Sequence, residues 1–477
     1  MRTLIIAALS AMLSLPACAQ TEPIEDVHAS PSQPPAQPLW QTPEEAPRSW
    51  RRVLPDTARG ERLRDFFRLV AQDEAVAIED VFDDAFFAHT PRERLGQILG
   101  ELREASGGSL SFVRVLKAND ELLGVELVDA NGTPWTAGLQ LAQGSERLVA
   151  LDINAQPPRA EGVKVYDTWG EVLADVRAID AELSFAVRRI GAAGLRTPVA
   201  LHESERVLNI AQIGQLFLFG GAANAVASGE ASWEDPVAMN ASLRSLPPSE
   251  YAQADDGTSY ALGEYLVGAG ALRDSAAADA GLSAVGRGAV RAYYESVVKE
   301  PPAHAYPWLS MRDYTLLKLF SSEQGRERYA QSDEQARRAT LAGVPDTADL
   351  SLDLAERIGA WQSDRAIDRI GWFASADDLV RTLADLASRS AAVSGMKPLE
   401  RALLAKAGVS LTSEVWPVQV VKVGGEPGVF AFASLLRRFD GQTFSVVMLL
   451  NDQEGTSDWR EAERIALGAI DLLALED

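Results

Sequence analysis

The chain has 477 residues and a formal net charge of −23, from 68 acidic against 45 basic side chains. A field of that sign repels nucleic acid and anionic membrane surfaces, which excludes both as partners. At 47% hydrophobic and 24% charged the composition is globular, and the length points to two folded domains. With one cysteine and scattered histidines, neither an intrachain disulfide nor a zinc site is expected, and no cofactor is implied.

Arg2 precedes an apolar run from Leu4 to Leu15, and small residues follow at Ala17 and Ala19. This is signal-peptide anatomy over residues 1–19 and implies export. Leu15-Pro16-Ala17-Cys18 resembles a bacterial lipobox, which implies a lipid anchor at Cys18. Ala17-Cys18-Ala19 before Gln20 reads instead as a cleavage site releasing a soluble protein. Both readings lead to the bacterial periplasm, with the membrane reached only through Cys18. Residues 20–57 carry eight prolines among Glu, Gln and Ser, a composition that builds a semi-extended linker and no core.

From residue 58 the spacing of Leu63, Phe66, Phe67 and Val70 predicts a helix, and a second follows Thr90-Pro91. Strands are then predicted over Leu110–Lys117, Leu122–Val128, Trp135–Leu141 and Leu148–Ile153, joined by short turns as an antiparallel meander. In element order, this α+β domain over 58–155 resembles the cone of ketosteroid isomerases and polyketide cyclases. That resemblance implies an apolar ligand or a purely structural module, with Asp83, Asp84 and His89 as its polar candidates.

Pro157-Pro158 marks the start of a second domain over 156–477, where Trp169, Val172, Val176, Ile179, Leu183 and Val187 trace a long amphipathic helix. From Ile210 an apolar helix runs to Ser232-Trp233-Glu234-Asp235-Pro236. Asp256-Gly257-Thr258, Asp274 to Asp279, Pro307-Trp308 to Lys318, Trp372-Phe373-Ala374-Ser375 and Trp416-Pro417 before Lys422 follow in order. With Ser245-Leu246-Pro247 and Val285-Gly286-Arg287, this succession resembles the class A β-lactamase-like serine hydrolases, and among them members with an extra cyclase-like N-terminal domain, as in clavulanic-acid biosynthesis clusters. The resemblance implies an α/β/α sandwich with an antiparallel sheet. Apolar strands over Val418–Val423, Val429–Leu436 and Phe444–Leu450, and a last helix from Ser457-Asp458, agree with it.

The family's chemistry needs a serine and a lysine three residues apart at a helix start, where the amine can activate the hydroxyl. Here those positions are Gln212 and Gln215, and an amide neither attacks a lactam nor titrates near neutral pH. The second motif, Ser-Asp-Asn in the family, is Arg273-Asp274-Ser275, and the third, Lys-Thr-Gly, is Lys422-Val423-Gly424. The hydroxyls of all three motifs are gone, so no residue is assigned a catalytic role, and whether the chain is an enzyme stays open.

Three functions compete. A pseudoenzyme would use Gln212, Gln215, Arg273 and Lys422 to bind a small anion, or would serve a protein partner. An active hydrolase on a β-lactam or related amide or ester would need another serine, Ser204 beside His202 or Ser275; Ser296-Val297-Val298-Lys299 matches the motif out of order, as short motifs do by chance. In the third, the N-terminal domain binds an apolar small molecule.

Overall fold

The computed structural model describes residues 58–474 apart from 73–75, 89, 119–121, 132, 143–145, 156–163, 192–193, 195, 245–248, 271–273, 344–353, 362–364, 393–394, 406–410, 412–414, 439 and 455–456. The signal-peptide, linker and Cys18 readings therefore lie outside the described residues, as do His89 and Arg273. The described chain separates into two compact units, Ala58–Ala155 and Lys164–Leu473.

In the first unit, α1 (Ala58–Val70) and α2 (Arg92–Ala105) each bury one apolar stripe, Leu63, Phe66 and Val70 on one and Leu95, Leu99 and Leu102 on the other. Strands β1 (Leu110–Ala118), β2 (Leu122–Asp129), β3 (Pro134–Leu141) and β4 (Leu148–Ala155) pair antiparallel in chain order. The period-2 sets Leu123, Val125, Leu127 and Trp135, Ala137, Leu139 face the helices, so one side of the sheet is core. The expected helices and meander are all present.

The second unit opens with α3 (Trp169–Ala178), capped by a reciprocal pair between Thr168 and Glu171. The long helix expected through Val187 ends there. Leu183 and Val187 belong to strand β5 (Glu182–Ile190), which lies between two neighbours in the sheet and is buried on both faces. Spacings of four residues fit a helix stripe and alternate strand positions equally well, and burial on both faces decides for the strand. β6 (Arg196–His202) and the short β7 (Leu208–Asn209) follow, then α4 (Gln215–Ser228), α5 (Leu262–Gly270) and α6 (Ser275–Val297), the last broken at Gly286.

The chain then passes through α7 (Met311–Thr315), a π turn over Leu316–Phe320, and, further on, α8 (Ala376–Ala392) and α9 (Lys397–Leu404). It finishes with β8 (Val418–Glu426), β9 (Val429–Arg437), β10 (Thr443–Asn451) and α10 (Trp459–Leu473). The sheet order is β8-β9-β10-β5-β6, antiparallel throughout. Helices α3 and α10 cover one face and α8 the other, which is the expected α/β/α layering.

Helix α4 is apolar all round because it runs through the middle of the core, against α6. At Gly220 a Cβ would lie 1.9 Å from the Tyr293 ring, which is itself fixed by a 2.9 Å hydrogen bond from its hydroxyl to Asp385. Helix propensity alone favours alanine at such a site by roughly 1 kcal/mol. Gly220→Ala is nevertheless expected to lower stability by about 1–3 kcal/mol, through forced separation of the helices, in urea unfolding.

Candidate functional site

The site is built on one turn. The side-chain oxygen of Asn209 accepts the Ala211 N–H at 3.0 Å, and Ala211 takes a left-handed conformation, φ +47°. A residue with a Cβ is disfavoured there by about 1–2 kcal/mol, so surrounding bonds must impose it. They do: the Asn209 amide donates to Ile367 O at 3.0 Å and Glu426 Oε1 at 3.1 Å, while Asn209 N–H and C=O bond the Asn451 side chain. The turn continues as a 3₁₀ segment, Ala211–Gly214, into α4.

Gln212 and Gln215 thereby leave the same helix start in different directions. The Gln212 side-chain oxygen accepts the Gly425 N–H, at 3.1 Å, across the mouth of a cleft. A Cβ on Gly424 would stand 3.2 Å from that oxygen and 3.3 Å from the Gln212 backbone nitrogen, so glycine lets strand and turn approach. Gln215 is buried, and its side-chain oxygen has no hydrogen-bond partner among the described residues. It faces Trp308, Met311 and Asp279 in a separate small void.

Lys422 has another place than the sequence reading gave it. Its side chain is wholly buried, and the ammonium donates to the carbonyls of Gly270, Ala402 (3.1 Å) and Ala405 (2.8 Å), at the C-terminal ends of α5 and α9. Helix C-termini carry the negative end of the dipole, which suits a cation. The charge is therefore spent on structure and does not reach the cleft, correcting its expected role in anion binding. Burial pushes its pKa down to about 7. Asp274 caps α6, accepting from Ala277 N at 2.8 Å and from the Ser249 hydroxyl at 2.6 Å, and Ser275 begins the helix.

The cleft has a volume of about 560 Å³, and Gln212, Gly425, Glu426, Phe430, Asp452 and Trp459 are among its walls. No lysine or arginine is among its described lining residues. Behind it lies the network that the sequence did not reveal. The Glu426 carboxylate is 1% exposed and takes the Lys318 ammonium at 3.0 Å, the Tyr314 hydroxyl and the Asn209 amide. Lys318 also donates to Arg365 O at 2.9 Å, and Tyr314 stacks on Trp372 at 4.9 Å. Burial and the neighbouring carboxylate hold the Tyr314 phenol well above its usual range, so it stays a donor. One signal was readable: a lysine inside the apolar run Leu316-Leu317-Lys318-Leu319-Phe320 requires a buried partner.

The other serines fall into structural roles. Ser204 donates to Asp377 at 3.1 Å, a carboxylate already held by both arms of Arg188 at 2.7 and 2.8 Å, so its hydroxyl is tied into a structural ion pair. Ser296 donates to the carbonyl of Tyr293, while Lys299 pairs with Glu205 at the surface. His304 lies against the Phe373 edge, its pKa lowered by burial. In the first unit Asp83 caps a helical turn and Asp84 is exposed. Among the described residues no cluster of His, Cys, Asp or Glu has a metal-binding arrangement, and no helix is long and apolar enough to cross a membrane.

No protein-family model matches the chain, and no curated protein matches it. Solved structures similar to it include a β-lactamase from Sphaerobacter thermophilus, at 14% identity and a TM-score of 0.46, covering 65% of this chain and 99% of that one. Another is the β-lactamase of Francisella tularensis, at 9% identity and a TM-score of 0.44, covering 64% and 99%. A third is PBP-A, at 12% identity and a TM-score of 0.42, covering 64% and 94%.

Two measurements test this geometry. Lys318→Met leaves Glu426 as a buried, half-paired charge, and is expected to cost about 3–5 kcal/mol in denaturant unfolding. For Lys422, folding lowers the pKa from 10.5 to about 7. Between those values the unfolded chain binds more protons than the folded one, so this residue's contribution makes stability rise with pH. Wild type should gain stability relative to Lys422→Met from about pH 7 to about pH 10, and the two should run parallel below about pH 6.

Proposed function

We propose that this chain is an exported β-lactamase-like protein that performs no acyl transfer and acts by binding. The observation that carries this is the Gln212 carboxamide hydrogen-bonded to the Gly425 N–H at 3.1 Å. Acyl transfer needs an activated hydroxyl and free N–H donors at the point where the oxyanion develops. Here an amide stands at the nucleophile position and its own oxygen occupies the facing donor, while the residue three positions on, Gln215, cannot take a proton. Ser204 and Ser275 offer no substitute, the first because its hydroxyl is tied to the Asp377–Arg188 ion pair and the second because it lies in the first turn of α6 with no base hydrogen-bonded to it among the described residues.

The signal-peptide anatomy of residues 1–19 supports the periplasm as its place of work. The helices-then-meander order of Ala58–Ala155 supports a cyclase-like accessory module. Intact-mass measurement of the full chain after incubation with benzylpenicillin, and separately with a fluorophosphonate, tests the reading. An unchanged mass with both is expected, and a covalent adduct on any serine would overturn it.

A further inference from the structure

We infer that the cleft beside Gln212 is a binding site for an uncharged amide or ester bearing an apolar, ring-sized group, and that the Gln212 side chain is its built-in competitor. This rests on the non-acylating reading above and names the ligand class for the same site.

Three observations converge. The first is the polar end of the cleft. The Gly425 N–H is a backbone donor at an exposed residue, and the group it now holds is a carboxamide oxygen from the protein's own chain. An external amide or ester carbonyl is the same acceptor and fits the same donor once the half-buried Gln212 side chain swings aside. That motion needs only side-chain rotation, because the Ala211 turn is fixed through Asn209 and not through Gln212.

The second is the apolar end. Phe430 and Trp459 form one wall, 6.0 Å apart between ring centroids and 23° from parallel, with Val429 and Leu450 beside them. Trp459 is 47% exposed, one of few large apolar side chains left so open among the described residues, and the Arg460 guanidinium lies 5.4 Å from its ring. A cleft of about 560 Å³ with an aromatic wall and few directed polar groups has the size and make-up of a small-molecule site.

The third is charge. Glu426 and Asp452 both border the cleft, but the Glu426 side chain is 1% exposed and paired with Lys318, so Asp452 is the carboxylate that bears on a ligand. Glu426 is committed to Lys318, Tyr314 and Asn209, and Asp452 accepts the N–H groups of Glu454 at 2.9 Å and Ser457 at 2.6 Å. Neither calls for a cationic ligand. Asp452 opposes an anion, and no lysine or arginine among the described lining residues would offset the desolvation of its charge. A neutral carbonyl compound meets the donor without that penalty.

The test uses the full chain and N-benzylacetamide as the neutral probe, with phenylacetate as an anion of similar size, followed by calorimetric titration. Saturable binding of the amide is expected, with phenylacetate at least about tenfold weaker. Trp459→Ala is expected to weaken the amide by about tenfold. Gln212→Ala should bind it about 2- to 10-fold more tightly, because one competing hydrogen bond is gone. Gln212→Asn, whose shorter amide does not reach Gly425, should show the same gain, so the outcome does not hang on one variant. Unchanged affinity in both Gln212 variants, or phenylacetate binding as tightly as the amide, would overturn the inference. Absence of amide binding in a chain whose mass benzylpenicillin leaves unshifted defeats this inference alone, whereas an acyl adduct defeats the reading beneath it.

Discussion

A single buried carboxylate organises the site. Glu426 ends strand β8, and its partners come from two distant stretches: Tyr314 and Lys318 from α7 and the π turn that continues it, and Asn209 from the short strand before Gln212. Pairing a buried charge this fully makes each partner expensive to remove, since the loss of one leaves the rest desolvated without compensation. The consequence is geometric. Strand end and the Asn209–Gln212 turn are fixed to each other within hydrogen-bonding distance, and the left-handed Ala211 becomes tolerable because its neighbours leave it no alternative.

That rigidity holds turn and strand in place whatever side chains stand on them. Lys422 ties the ends of two helices together, a use that needs its length and charge but no access to a ligand. Asp274 is a helix cap. Gln212 fills the gap between turn and strand that a ligand's carbonyl would otherwise take. Each residue is satisfied locally, with Gln215 the exception, whose buried oxygen is left without a partner among the described residues.

Much of the fold was readable in the sequence, because strands and helices of one-sided burial print their period on the chain. The β1–β4 meander falls where alternation and turn residues put it, the last helix where its apolar face puts it, and β8–β10, buried along most of their length, fall where apolar runs bounded by turn residues put them. The failure at β5 has the opposite cause: a strand covered on both faces loses its alternation, and Leu183 and Val187 then match a helical stripe as well as a strand. At the site, the sequence located Gln212, Gln215 and Lys422 but not where their side chains point. Orientation depends on partners far along the chain, such as the carbonyls of Gly270 and Ala405 around Lys422, and local patterns do not record them.

The order of strands in the large sheet sets a schedule for folding. β5 and its hairpin partner β6 are neighbours in the chain, yet the other edge of β5 belongs to β10, which lies more than two hundred residues later: Leu183 pairs with Leu450 and Ser184 with Leu449. Until the last segment of the chain is available, the first hairpin presents an apolar, unpaired edge, the kind of surface that joins the wrong partner when left open. Loss of the C-terminal strands would therefore expose the centre of the sheet, and the domain closes only as a whole, from both ends of its sequence at once.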